Sequence, residues 1–293
     1  MQQESLIANY IIGDHPFKLI LKSGETVKLL SNMEPFKADS IDEPLFTVTI
    51  DNDIIPSWQG VRVGTFPCPS ATFEVYRKDD GAYQILITNG HAPAAFMESD
   101  KDYRNFTVAT RGSDTLQQFG LSNSLMLIYT ISTAGHDTLL MHSSTVENGG
   151  KAYMFLGKSG QGKSTHSDLW VKYIAGSTLV NDDNPVLRIA PDGTPTMYGS
   201  PWSGKRPIYK NVKYPVGGMA AIEQEKENSI KVENVPTAFG ILLSSASTMK
   251  FDKNIHLKVC GTISKLLGKM PVHTLGCRPD EEAARVSSSA FGL

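Results

Sequence analysis

Cysteine is scarce in this chain. The 293 residues include three, Cys68, Cys260 and Cys277. They are odd in number and too widely spaced for a disulfide framework or a metal knuckle. An excess of charge is also missing. Lysine and arginine number 28 against 30 aspartates and glutamates, a net charge of −2 with the signs interspersed. No basic stripe therefore points to nucleic acid. Long hydrophobic runs are absent too: the most apolar stretch, around Leu125 to Tyr129, is far too short to span a bilayer. No basic segment leads into an apolar run near Met1, so no secretory signal is expected. Neither an internal repeat nor a low-complexity tract interrupts the pattern. Together these absences predict a reduced, soluble, cytoplasmic protein with no membrane partner. Its 40% hydrophobic content suffices for one large core or two ordinary ones.

The patterning divides the chain in two. Residues 1–135 read as a β-rich region that ends in a helix. Its strands are expected at Leu6–Ile12, Phe17–Leu21, Phe46–Ile50, Ala71–Tyr76, Tyr83–Thr88 and Phe106–Ala109. Turn signals such as Asn89-Gly90 separate them, and their close spacing favours antiparallel meanders. Asp114 to Ser132 then reads as one helix. From 136 to 293 the pattern becomes mixed. A strand at Leu140–Val146 and a second at Lys151–Leu156 flank Asn148-Gly149-Gly150. A helix at Thr165–Tyr173 follows, and Val186–Ala190 with Thr194–Tyr198 form a hairpin about Pro191-Asp192-Gly193. Helices are expected at Thr237–Met249 and His256–Leu267. A strand at Val272–Leu275 then leads to a last helix opened by Pro279-Asp280-Glu281.

The segment Gly157-Lys158-Ser159-Gly160-Gln161-Gly162-Lys163-Ser164 matches the phosphate-binding loop G-x-x-x-x-G-K-[ST]. Its glycines let successive backbone N–H groups turn toward phosphate oxygens. Lys163 can reach the β- and γ-phosphates, and the Ser164 hydroxyl can ligate Mg²⁺. A short apolar strand before the loop and a helix after it supply the context this pattern requires.

Three further features accompany the loop. Asp182-Asp183 ends an apolar strand, where a carboxylate can hold Mg²⁺ and a second can act as base. The same residues before Asn184-Pro185 also suit a solvated turn. His142 lies on the strand that feeds the loop, and antiparallel pairing would bring it near the loop's entrance. Gly199 to Arg206 carries Trp202, Lys205 and Arg206, and either covers a nucleotide or forms an exposed connection.

His142, G-K-S-G-Q-G-K-S-T and L-V-N-D-D together resemble the catalytic region of HPr kinase/phosphorylase, and more broadly the superfamily shared with ATP-dependent phosphoenolpyruvate carboxykinase. The resemblance covers about residues 139–210. It implies an α/β (α+β) C-terminal domain with a mixed sheet, preceded here by the β-rich region. It further implies an ATP- and Mg²⁺-dependent kinase acting on a serine hydroxyl of a protein or peptide, and a homo-oligomer by analogy. Gly157 to Thr165 would bind the ATP phosphates, with Lys163 on the β/γ-phosphates. Ser164 and Asp183 would share Mg²⁺, Asp182 would be the base, and His142 would lie near the transferred phosphoryl group. The order of the two aspartate roles stays open. The glycine-rich signature of phosphorolysis is missing, and residues 1–135 show no kinship to that enzyme's N-terminal domain. The oxaloacetate-binding arginines of the carboxykinase have no convincing counterpart, Arg206 being the nearest. A carboxykinase-like small-molecule enzyme and a non-catalytic ATP-binding module remain the alternatives.

Overall fold

Period-two alternation builds the first of two compact units, Met1–Ser132 and Thr133–Leu293. The computed structural model describes residues 5–68, 71–204 and 206–293. In β1 (Leu6–Ile12) and β2 (His15–Leu21) the core face is set residue by residue: His15, Phe17, Leu19 and Leu21 are buried, and the residues between them are partly exposed. A run of short 3₁₀ turns, Gly24–Phe36, follows. The remaining strands are β3 (Lys37–Ala38), β4 (Phe46–Ile50), β5 (Val61–Pro67), β6 (Thr72–Arg77), β7 (Tyr83–Asn89), β8 (Ala92–Ser99) and β9 (Asn105–Thr110). They form one sheet in the order β3-β1-β2-β4-β9-β8-β7-β6-β5.

The expected antiparallel meander runs from β5 to β9. It gives way at β4, which is parallel to both β2 and β9. Parallel neighbours need a long crossover. Residues 22–45 provide one and the β5–β8 meander provides the other. Three strands escaped sequence reading, the two-residue β3 among them. β5 is an edge strand with mainly exposed side chains, so it lacks an apolar face. β8 carries Pro93 where its register with β7 shifts, and proline in a strand reads as a break. Helix α1 (Asp114–Thr133) buries Leu121, Leu125, Ile128 and Tyr129, and the Tyr129 hydroxyl donates to the Ile12 carbonyl of β1 at 3.0 Å. A Cβ on Gly120 would come within 2.6 Å of the Ala94 carbonyl oxygen, so glycine sets how closely the helix approaches.

The second unit contains β10 (Thr138–Leu140), β11 (Ser143–Asn148), β12 (Lys151–Leu156), α2 (Lys163–Tyr173), β13 (Thr178–Asn181), β14 (Val186–Ile189), β15 (Pro195–Tyr198), β16 (Lys213–Gln224), β17 (Ser229–Val232), α3 (Val235–Ser245), α4 (Lys253–Leu267), β18 (His273–Cys277) and α5 (Glu281–Ala290). Its sheet runs β10-β14-β15-β16-β12-β11-β13, with β18 and β17 branching from β16. The β12/β16 and β16/β18 pairs are parallel, while β11 is antiparallel to β12 and β13. Both units therefore hold mixed sheets, and the chain is α+β. No helix among the described residues is long and apolar enough to cross a membrane.

The central strand β16 was not expected, because Pro215, Gly217 and Gly218 interrupt its pattern. Packing accounts for the glycines. A Cβ on Gly217 would meet the Tyr153 ring at 2.7 Å, and one on Gly218 the Phe291 ring at 2.5 Å. Tyr153, Phe155, Trp170, Ala220, Ile222, Leu275, Ala283 and Ala284 form the core between the sheet, α2 and α5. At its centre the Ser287 hydroxyl donates to the carbonyl of Ala283 or Ala284. It accepts from Trp170 Nε1 at 2.8 Å and lies 3.0 Å from His166 Nε2. Burial pushes the His166 pKa down to about 4, so this ring packs as a neutral group. Replacing Ser287 by alanine would leave both rings short of a buried partner, which typically costs about 1–3 kcal/mol. Urea unfolding of Ser287→Ala should show that loss; an unchanged midpoint would contradict it.

Candidate functional site

The loop after β12 adopts the backbone its glycines permit. Gly157, Gly160 and Gly162 have φ of +141°, +85° and +103°, and α2 begins directly at Lys163. Gln161 braces the turn by accepting from the Lys158 backbone N–H. Gln224, the last residue of β16, donates to the Gly160 carbonyl at 3.2 Å. The first amides of α2 thus point into the turn, with the positive end of the helix behind them.

Lys163 is 7% exposed. Its Nζ lies 2.8 Å from the Gly157 carbonyl oxygen, 3.1 Å from that of Lys158 and 2.9 Å from His142 Nε2. Burial lowers the ammonium pKa, and the charges of Asp183 and Asp182 partly restore it. His142 does not sit on a continuous strand as expected. The run breaks between β10 and β11, and His142 occupies the break, beside the Ser143–Leu156 pair at the mouth of the loop. Its backbone N–H donates to the Ser245 carbonyl at 2.6 Å. Its Nδ1 faces Asp183 Oδ1 at 2.8 Å, so the proton belongs on Nδ1 and Nε2 accepts from Lys163. The result is a relay Asp183–His142–Lys163.

Asp182 faces the other way, as successive side chains leaving a strand do. Its Oδ1 accepts from Ser144 at 2.7 Å, and Ser144 accepts from Ser167 at 2.7 Å. Its Oδ2 accepts from Arg206 Nε at 2.6 Å, and the Ser164 hydroxyl lies close enough to the carboxylate to help stabilise its charge. Burial raises the carboxyl pKa. Hydrogen bonds from Arg206, Ser144 and Ser164, aided by the guanidinium charge, more than offset this and hold it below the ordinary value. A carboxylate so saturated with donors stays ionised and is a poor proton acceptor. It is well suited to a cation.

The sequence reading paired Ser164 with Asp183 and gave Asp182 to the acceptor. The geometry instead places Ser164 against Asp182 and His142 against Asp183. Ser164 and Asp182 present adjacent hard oxygens, the donor type Mg²⁺ takes from protein when phosphates and water complete its shell. Among the described residues no group of three or more His, Cys, Asp or Glu is placed to hold an ion.

The chain matches no family model and no curated protein.

The Gly199–Arg206 segment meets the aspartates directly. The Ser200 hydroxyl donates to the Asn184 carbonyl at 2.5 Å, and the Asn184 backbone N–H to the Trp202 carbonyl at 3.1 Å. A Cβ on Gly204 would lie 3.2 Å from Asp183 Cβ. Lys205 lies outside the described residues. Arg206 joins Asp182 to Asp168 of α2, and its guanidinium pKa is raised, first by the hydrogen bond to Asp182. Ser159 and Thr165 are exposed and stand at the loop and the first turn of α2, as their places in the pattern require. Sequence reasoning missed Ser144, Ser167 and Asp168. A helical reading offered a signal, since Ser164, Ser167 and Asp168 fall at i, i+3 and i+4 and share one face of α2.

Proposed function

We propose that the chain is an ATP- and Mg²⁺-dependent phosphotransferase acting on a serine hydroxyl of a protein or peptide, with a second unit of the HPr-kinase and carboxykinase type. One observation carries the reading. The two residues that end the phosphate loop each lead to a different carboxylate, Ser164 to Asp182 and Lys163 through His142 to Asp183.

The backbone amides from Gly157 to Thr165 and the first turn of α2 bind the phosphates. Lys163 exchanges its loop carbonyls and His142 for the β/γ-phosphate oxygens. Ser164 and Asp182 would hold Mg²⁺, which would supply positive charge to the phosphates. Once Lys163 has turned, His142 Nε2 is free to accept a proton, and Asp183 keeps the ring in the needed tautomer. The acceptor oxygen forms a bond to the γ-phosphorus as the bond to ADP breaks, and the hydroxyl proton passes to His142 Nε2. Positioning and charge neutralisation carry most of such a reaction, and a placed base contributes about 10²–10⁴-fold. Relative to the roles implied by the resemblance, the metal moves from Asp183 to Asp182, and the proton goes to His142 with Asp183 behind it.

The carboxykinase reading needs a guanidinium for a carboxylate substrate. Arg206, the nearest candidate, lies between Asp182 and Asp168, and the sequence offers no convincing counterpart of the carboxykinase's oxaloacetate-binding arginines, which favours the kinase reading. The test is transfer of label from γ-labelled ATP to serine-containing protein from a cell extract, with phosphoserine identified after hydrolysis. Mg²⁺-dependent phosphoserine is expected. Formation of phosphoenolpyruvate from oxaloacetate, with no labelled protein, would overturn the proposal.

A further inference from the structure

Arg206 is held by two carboxylates of very different environment. The Asp182 side chain is 5% exposed and that of Asp168 is 60% exposed. The Asp182 contact is therefore desolvated and strong, whereas the Asp168 contact is screened by water. Arg206 Nη2 is buried and has no hydrogen-bond partner among the described residues. A guanidinium placed for its own best hydrogen bonding would not leave a buried N–H unpaired. The charge of Asp182 accounts for its position, because a buried carboxylate needs a cation beside it.

We infer that Arg206 is a stand-in cation for Asp182, occupying the carboxylate until a divalent metal arriving with nucleotide displaces it. The inference rests on the reading of Ser164 and Asp182 as the metal's protein ligands. Two cations crowded onto one carboxylate repel each other, so metal and guanidinium compete for Asp182. The competition also reaches the loop above. Arg206 is bonded through its carbonyl to the Ser203 hydroxyl, and Gly204 rests on the two aspartates. Release of the guanidinium from Asp182 removes a tie at Arg206, while Ser200 and Trp202 keep their bonds to Asn184. Metal binding and loosening at Ser203 and Arg206 are then one event. Metal alone binds weakly, and the nucleotide phosphates supply the remaining drive. Arg206 acts in this scheme as a positioning residue, through Asp182.

The experiment titrates Mn²⁺ into full-length protein without nucleotide and counts free Mn²⁺ by electron paramagnetic resonance. Arg206→Gln should bind Mn²⁺ about tenfold more tightly than the wild type, corresponding to about 1.4 kcal/mol. Asp182→Asn should abolish binding. Equal or weaker binding by Arg206→Gln, with Asp182→Asn silent, would overturn the inference while leaving the metal site in place. Retention of wild-type affinity by Asp182→Asn would instead overturn the metal assignment beneath it. Hydrogen exchange on the wild type gives a check that needs no variant: saturating Mn²⁺ should accelerate amide exchange at Ser203, Gly204 and Arg206, and slowed or unchanged exchange would count against the inference.

Discussion

Lys163→Ala should lose ATP-dependent phosphoryl transfer by about 10³-fold or more, the scale at which a single preorganised charge is felt in such sites. The fold should survive. Lys163 Nζ contacts the carbonyls of its own loop and one ring nitrogen of His142, and no side chain of the Tyr153–Trp170 core depends on it. A steady-state assay together with a melting curve separates the two effects. Activity should vanish while the melting temperature shifts by only a few degrees, as about 1 kcal/mol would do. Full transfer by the alanine variant would show that the loop serves no phosphate.

The two adjacent aspartates should fail in different ways. Asp182→Asn removes the negative charge that Ser144, Ser164 and Arg206 surround. It should abolish the gain in ATP affinity that Mg²⁺ gives the wild type. Asp183→Asn leaves that cluster intact but withdraws the carboxylate 2.8 Å from His142 Nδ1. It should keep Mg·ATP affinity within about threefold and lower the rate of transfer by about 10²–10⁴-fold. Calorimetric titration of both variants, with and without Mg²⁺, reads the first effect, and kcat at saturating ATP reads the second. If both variants lose nucleotide affinity alike, the division of roles is wrong.

The sequence shows the loop plainly because its geometry is local. Three glycines at positive φ and a helix starting at Lys163 follow from adjacent residues. His142 could be placed at the loop's mouth for a similar reason, since a two-stranded hairpin fixes the register. The two aspartates were recognised as a pair, yet their assignment required the side of the chain end each faces. That depends on α2 and on the break between β10 and β11, both distant in sequence. Strand β16 was hidden because Gly217 and Gly218 answer to the rings of Tyr153 and Phe291 rather than to strand propensity. Parallel pairing at β4 was hidden because direction is set by long connections, which leave no periodic trace.

A crystal structure with Mg²⁺ and a non-hydrolysable ATP analogue tests the central claim most directly. The account predicts phosphates in the Gly157–Thr165 loop, the metal on Ser164 and Asp182, Lys163 moved from His142 to the phosphates, and His142 Nε2 facing the terminal phosphate. A metal bound through Asp183, or a nucleotide bound away from the loop, would contradict it.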